Sequence, residues 1–171
     1  MTGEARKERY RSEILEAAEI VFAEKGFYSA RVEDIARQAD YAPATLYGYF
    51  ASKEELFVSL IEMRFSELLE SIENGSDAGG DFPENIRQLL ETLTRFGQKY
   101  QGFLKMLFLL NFSGDIPQKS MMKHVRESFT DFIATIKKLL DKGQRQGKLR
   151  FEDTNHLAYL FYGMMGATGT K

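Results

Sequence analysis

Residues 26–56 read GFYSARVEDIARQADYAPATLYGYFASKEEL, and the order of apolar and turn-forming residues in this stretch decides the fold. Val32, Ile35, Ala36 and Ala39 recur at helical spacing and predict a short helix from Arg31 to Ala39. Leu46, Tyr47 and Phe50 predict a second one from Pro43 to Phe50, so that only Asp40, Tyr41 and Ala42 separate the two. Pro43 punctuates the junction. Its missing N–H is no loss in the first turn of a helix, and its ring disfavours helix at Ala42.

The same spacing extends outward on both sides. Upstream, Ile14, Leu15, Ala18, Val21 and Phe22 give an amphipathic helix from about Lys7 to Lys25, with Gly26 as its stop. Downstream, Leu56, Phe57, Leu60, Ile61, Phe65, Leu68, Leu69 and Ile72 form a wide apolar stripe from Lys53 to Glu73. The run NGSDAGGDF, residues 74–82, reads as a surface loop, after which Pro83 opens a helix carrying Ile86, Leu89, Leu90, Leu93, Phe96 and Tyr100. FLKMLFLLNF, residues 103–112, is apolar nearly all round and predicts a buried helix that ends at Ser113 to Pro117. A long helix from about Gln118 to Gln146, with Gly143 and Gly147 at its end, precedes a last one that starts near Asp153. No segment alternates with a period of two and no repeat is visible, so the fold class is all-α.

Composition bounds the function. A chain of 171 residues with 43% hydrophobic and 28% charged positions can bury a core. The absence of cysteine and the presence of only two histidines argue against disulfides and zinc, and no cofactor is expected. The longest apolar run, Met106 to Leu110, is far too short to span a bilayer, and charged residues follow Met1 closely, so a cytoplasmic protein without a membrane partner is expected. The net charge of −2 lends nucleic-acid binding no support, and residues 1–55 hold eight Lys and Arg against eleven Asp and Glu. Any DNA affinity must therefore come from where the cations stand. Arg6, Lys7, Arg9 and Arg11 suggest a short basic N-terminal arm. No carboxylate pair, nucleophile with its base, phosphate loop or HExxH spacing is present, so an enzyme is not expected.

Three helices in the first 50 residues, the second and third short and closely joined, make a helix-turn-helix pattern. The specific signal is Gly26-Phe27, then VEDIARQA (32–39), then TLYGYF (45–50), then SKEEL (52–56). This string resembles the DNA-binding domain of the TetR family over residues 7 to about 60; beyond it the likeness rests on helix order and the Gly143 to Gly147 turn. The resemblance implies a helix-turn-helix DNA-binding domain at 1–52 and a helical ligand-binding and dimerisation domain at 53–171. It further implies a homodimeric regulator of transcription, a repressor by the family's habit, that leaves double-stranded operator DNA when a small, largely apolar effector binds. A helical interaction module that has lost sequence-specific DNA binding is the alternative.

Carried over by position, the family's DNA contacts fall on Ala42, Pro43, Ala44 and Thr45 at the start of the recognition helix, on Tyr47 and Tyr49, and on Lys53 as a phosphate grip, with Arg31 adding a cation near the backbone. Leu46 and Phe50 are assigned to the core, and a core position is the competing reading for Tyr47 and Tyr49. An eight-residue helix is about 12 Å long and the major groove about 12 Å wide, so only its leading face reaches base edges. Three residues depart from the family pattern. Ala30 stands where a Thr usually caps the second helix, leaving Ser29 as the substitute cap; Asp40 replaces the usual turn Gly; Ala42 replaces a common Ser.

For the second domain, Phe65, Leu69, Phe96, Tyr100, Phe103, Met106, Leu107, Leu110, Phe129 and Phe132 are the candidate pocket lining, each with ordinary core as its competing reading. The last two helices are expected to pair with their copies through Ile136, Leu140, Leu157, Phe161 and Met164, with a monomer core as the alternative. The chain ends at Lys171 soon after the last helix begins, which leaves either a short helix or a sequence that continues further.

Overall fold

A computed structural model describes residues 3–76, 81–112, 119–151 and 153–167, the side chains of 76, 108–112, 119–120 and 164–167 excepted. Those residues contain eight helices and no strand: α1 Gly3–Ser29, α2 Val32–Gln38, α3 Pro43–Tyr47, α4 Lys53–Ser76, α5 Phe82–Lys99, α6 Gln101–Phe112, α7 Lys119–Arg145 and α8 Thr154–Ala167. The all-α expectation holds. The basic N-terminal arm, however, is the first part of α1 itself, which is helical from Gly3.

Gly26 breaks α1 without ending its hydrogen bonding. Its φ of 73° and ψ of 163° lie in a region open essentially to glycine alone, and Ala30 N–H still donates to the Gly26 carbonyl at 3.2 Å. α3 is shorter than the spacing predicts. Its helical backbone ends at Tyr47, and the chain continues to Phe50 through turn bonds from the Tyr49 and Phe50 N–H groups to the Leu46 carbonyl, both 2.9 Å.

The helices form two compact units, Met1–Met63 with Lys105–Val125, and Arg64–Leu104 with Arg126–Lys171. Residues 1–52 fall inside the first. Its core holds Ile14, Leu15, Ala18, Phe22, Ile35, Leu46, Phe50 and Phe57, all nearly or wholly buried, with Phe57 edge-on to Phe22 at 5.3 Å and to Phe27 at 5.0 Å. Leu46 and Phe50 are core residues, as expected. In the second unit Phe65, Phe96, Phe103 and Phe132 are buried around Ile136, Leu140 and Ala158. Gly143 within α7 leaves room for the Phe82 ring, which lies where a Cβ would stand.

Candidate nucleic-acid interface

The turn before α3 is built by backbone hydrogen bonds at the end of α2. Asp40 N–H donates to the Arg37 carbonyl at 3.3 Å and Tyr41 N–H to the Ala36 carbonyl at 2.9 Å, with Asp40 at φ 60°. This is the Schellman arrangement, which requires a left-handed residue between helix and loop. Asp40 thus has the position and conformation of the glycine it replaces. Ala42 follows in extended geometry as the N-cap of α3, and Pro43 takes the first helical turn.

At the start of α2 the sequence expectation needs correcting. The N-cap is Arg31, not Ser29, and it makes no side-chain cap. Asp34 instead reaches back to accept from the Arg31 N–H at 3.4 Å while pairing with Lys25 at 2.8 Å and Arg37 at 3.6 Å. The hydrogen bond from Lys25 is the main reason the Asp34 carboxyl titrates below its ordinary value.

Ala42, Pro43 and Ala44 are exposed, Thr45 is half-buried, and Tyr47 is 55% exposed, so α3 carries mostly apolar side chains open to solvent. Arg31 is exposed at the N-cap of α2. Tyr49 is half-buried, its ring edge-on to Tyr10 at 6.3 Å. Lys53, expected as a phosphate grip, is engaged with the chain itself. Its ammonium donates to the carbonyls of Phe27 at 2.8 Å, Ala30 at 3.0 Å and Tyr28 at 3.4 Å, and it lies 4.5 Å from the Phe27 ring centroid. An ammonium has three donors, and all three are directed at the chain's own backbone.

Sequence reasoning missed Tyr10 and Glu13, and gave Arg11 only as an arm cation and Tyr41 only as a turn residue. The Tyr41 hydroxyl donates to Glu13 Oε2, which pushes its pKa up to about 12, and its ring stands edge-on to Tyr10 at 5.6 Å. Arg11 donates to Ser59 Oγ at 2.8 Å and to the Tyr49 carbonyl at 3.4 Å, with its guanidinium over the Phe50 ring at 4.5 Å. Glu13 also pairs with Arg9 at 3.5 Å, and Glu55 accepts from the Ala51 N–H at 2.6 Å. Several of the acids that make this segment negative are therefore engaged internally. Arg6, Lys7 and Arg31 are exposed and form no ion pair among the described residues.

The candidate pocket residues divide. Phe65, Phe96, Tyr100, Phe103 and Phe132 are buried and in ring contact in the second unit, Phe65 lying 5.8 Å from Phe103 and 6.0 Å from Phe132. Leu69 and Phe129 are half-buried there, and Phe129 contacts Tyr162 at 4.6 Å. Met106 and Leu107 are buried residues of the first unit, and the Leu110 side chain lies outside the described residues. One polar node borders the aromatics. Glu67 accepts from the Tyr100 hydroxyl, from Lys99 at 3.0 Å and from Arg64 at 3.1 Å. Burial alone would raise the Glu67 pKa; these three donors outweigh it and hold the carboxyl below its ordinary value.

Two of the expected dimer contacts need correction. Ile136 and Leu140 are 0% and 2% exposed, so they fill the core of their own unit and have no surface to offer a second copy. Leu157 and Phe161 are half-buried, and the Met164 side chain lies outside the described residues. The exposed apolar residues of this region are Phe151, Tyr159 and Leu160. Among the described residues no helix is long and apolar enough to cross a membrane, and no group of His, Cys, Asp and Glu could hold a metal ion.

Residues 14–60 match the family described as bacterial regulatory proteins, tetR family. Over 161 residues, 91% of this chain and 76% of the relative, the sequence is 30% identical to YdgC of Bacillus subtilis (strain 168), an uncharacterized HTH-type transcriptional regulator. It is 25% identical to the HTH-type transcriptional repressor NicS of Pseudomonas putida over 153 residues, 90% of this chain and 72% of that one. The crystal structure of the Bacillus subtilis regulator FadR in complex with stearoyl-CoA has the same fold, with a TM-score of 0.74 over 93% of this chain and 84% of FadR at 21% identity. With the helix-turn-helix geometry described above, these likenesses show that the chain belongs to the TetR family of DNA-binding transcriptional regulators.

Proposed function

We propose that the protein is a cytoplasmic, homodimeric repressor that binds double-stranded operator DNA through α3 and leaves it when a small, largely apolar effector binds the second unit. The observation that carries the DNA half is the exposed surface of Ala42, Pro43, Ala44 and Tyr47 beside the half-buried Thr45. Methyl and ring carbons of this kind favour contact with thymine methyl groups in the major groove, while the Tyr47 hydroxyl suits a phosphate oxygen. Arg6, Lys7 and Arg31 supply exposed cations. A two-fold dimer would present its recognition helices to successive major grooves, about 34–36 Å apart. Tyr159 and Leu160, with the half-buried Leu157 and Phe161, offer α8 as the surface for the second copy.

The effector half rests on the aromatic set Phe65, Phe96, Phe103 and Phe132, whose chemistry suits an apolar ligand such as the acyl chain of the compound bound to FadR. The repressing sign is taken from NicS, a relative named as a repressor. An effector that prefers the DNA-free arrangement weakens DNA binding by the same coupling energy with which DNA weakens effector binding.

The test is a selection of bound fragments from random DNA by the purified protein. A palindromic, thymine-containing site is expected, with affinity that falls steeply as salt rises. Tyr47→Ala should weaken binding to that site about three- to tenfold with no loss of helical content. Failure to enrich any sequence, together with salt-independent behaviour, would favour a module that has lost its DNA.

A further inference from the structure

We propose that Tyr10, Tyr41 and Glu13 form a brace that positions the recognition helix from both ends and makes up for the missing glycine at position 40. The proposal rests on the DNA-reading role of α3. Two observations of different kinds lead to it. The first is the backbone at Asp40, whose φ of 60° is the left-handed conformation that glycine adopts freely and aspartate only at a cost. Every path from α2 into α3 passes through this residue, and the two Schellman hydrogen bonds hold only while it stays there.

The second is what surrounds the next residue. Tyr41 immediately precedes Ala42, the N-cap of α3, so its position sets where α3 begins. Its ring packs edge-on against Tyr10 and its hydroxyl donates to Glu13, both one helical turn apart on α1. Tyr10 in turn faces Tyr49, two residues beyond the end of α3. One ring on α1 therefore contacts the residues that flank the recognition helix on either side. Glycine at position 40 would leave the turn free of backbone cost but free to move; aspartate with the brace gives a turn that is costly locally and fixed from outside.

The brace makes Tyr41 a positioning residue, whose loss should reduce discrimination between DNA sequences more than attachment to DNA. Non-specific binding comes from phosphate contacts, which tolerate small changes in the angle of α3, whereas base-edge contacts do not. Tyr41→Phe keeps the ring and removes the hydroxyl. It should raise the Kd for the selected operator about tenfold while leaving the Kd for unrelated DNA of equal length within about twofold at the same salt. Glu13→Gln keeps an acceptor for the hydroxyl and should bind the operator at least as well as the wild type; Glu13→Ala should behave like Tyr41→Phe and serves in its place should that variant fold poorly. In the D40G background, where the turn is free to move, adding Tyr41→Phe should raise the operator Kd by about tenfold or more. All assays are run well below each variant's melting temperature, measured on the same preparation.

Equal losses on operator and unrelated DNA, an unchanged operator Kd for both Tyr41→Phe and Glu13→Ala, or a loss below about twofold for Tyr41→Phe in the D40G background would each overturn the brace. A wild-type protein with no preferred site would remove the DNA-reading role and the brace together, whereas a wild-type protein that binds its site as tightly as Tyr41→Phe does would remove the brace alone.

Discussion

The end of α2 and the end of α7 are closed by the same backbone hydrogen bonds around different residues. At α7, Gly147 N–H donates to the Gln144 carbonyl and Lys148 N–H to the Gly143 carbonyl, both at 2.9 Å, with Gly147 at φ 67° and open space where a side chain would stand. At α2 the corresponding bonds run from Asp40 and Tyr41, with Asp40 at φ 60°. The α7 end adds to its glycine only near neighbours in sequence, the Gln144 amide donating to the Phe151 carbonyl at 3.2 Å. The α2 end is surrounded by Tyr10, Glu13 and Tyr41, and at the α1 break Gly26 is followed by the Lys53 ammonium on the carbonyls of Phe27, Tyr28 and Ala30. Chain reversals in the DNA-binding segment are thus held by distant side chains, while the one at α7 is held by groups close together in sequence. Where a surface must present itself to a ligand at a fixed angle, a locally adequate turn is not enough.

The largest expected effect comes from removing a distant support. Lys53→Met keeps the length and apolar stem of the side chain and deletes its donors, leaving the Phe27 and Ala30 carbonyls to find water. Hydrogen bonds from a charged donor contribute more than neutral ones, so a loss of about 2 kcal/mol in urea unfolding is expected. The same variant separates this role from a phosphate grip. An anchoring lysine leaves the slope of log K against log salt unchanged for DNA binding, whereas a lysine on phosphate would lower that slope by about one.

A smaller effect is expected at α7, where the support is local. Gly147→Ala meets no neighbour, so its cost is conformational alone. Left-handed geometry at an L-residue costs on the order of 1–2 kcal/mol, partly offset because alanine also narrows the unfolded ensemble, and a net loss of about 1 kcal/mol should appear in the unfolding midpoint. A cost above that of Lys53→Met would reverse the contrast between the two regions.

Periodicity and punctuation made much of this legible. The helices, the three-residue junction before Pro43 and the core positions of Leu46 and Phe50 follow from spacing, because burial of one face imposes it. Gly26 and Gly147 announce their own turns. Asp40 does not, since aspartate is ordinarily compatible with many turn conformations and its replacement of a glycine reads only as a departure. The backbone partners of Lys53 are not legible, because they are carbonyl groups, which every residue carries and no sequence pattern marks. The role of Tyr41 is not legible for a related reason: its partners lie on α1, 28 or more residues away in sequence. Ile136 and Leu140 illustrate a different limit, because an apolar helix face declares that it is covered and not whether its own chain or a second copy covers it.

The smallest effect gives the finest test of the comparison. Gly147→Asp places at α7 the residue that α2 uses, without any brace and with nothing nearby to touch. Aspartate tolerates the left-handed region better than alanine because its carboxylate can accept from nearby backbone N–H groups, so a loss below about 1 kcal/mol, and smaller than that of Gly147→Ala, is expected in the same unfolding assay. If Gly147→Asp costs as much as Gly147→Ala, aspartate brings no tolerance of its own and the side chains around Tyr41 must offset the whole cost at α2. If it costs nothing measurable, the turn at α2 needs no energetic help, and the aromatic contacts there act on the direction of α3 alone.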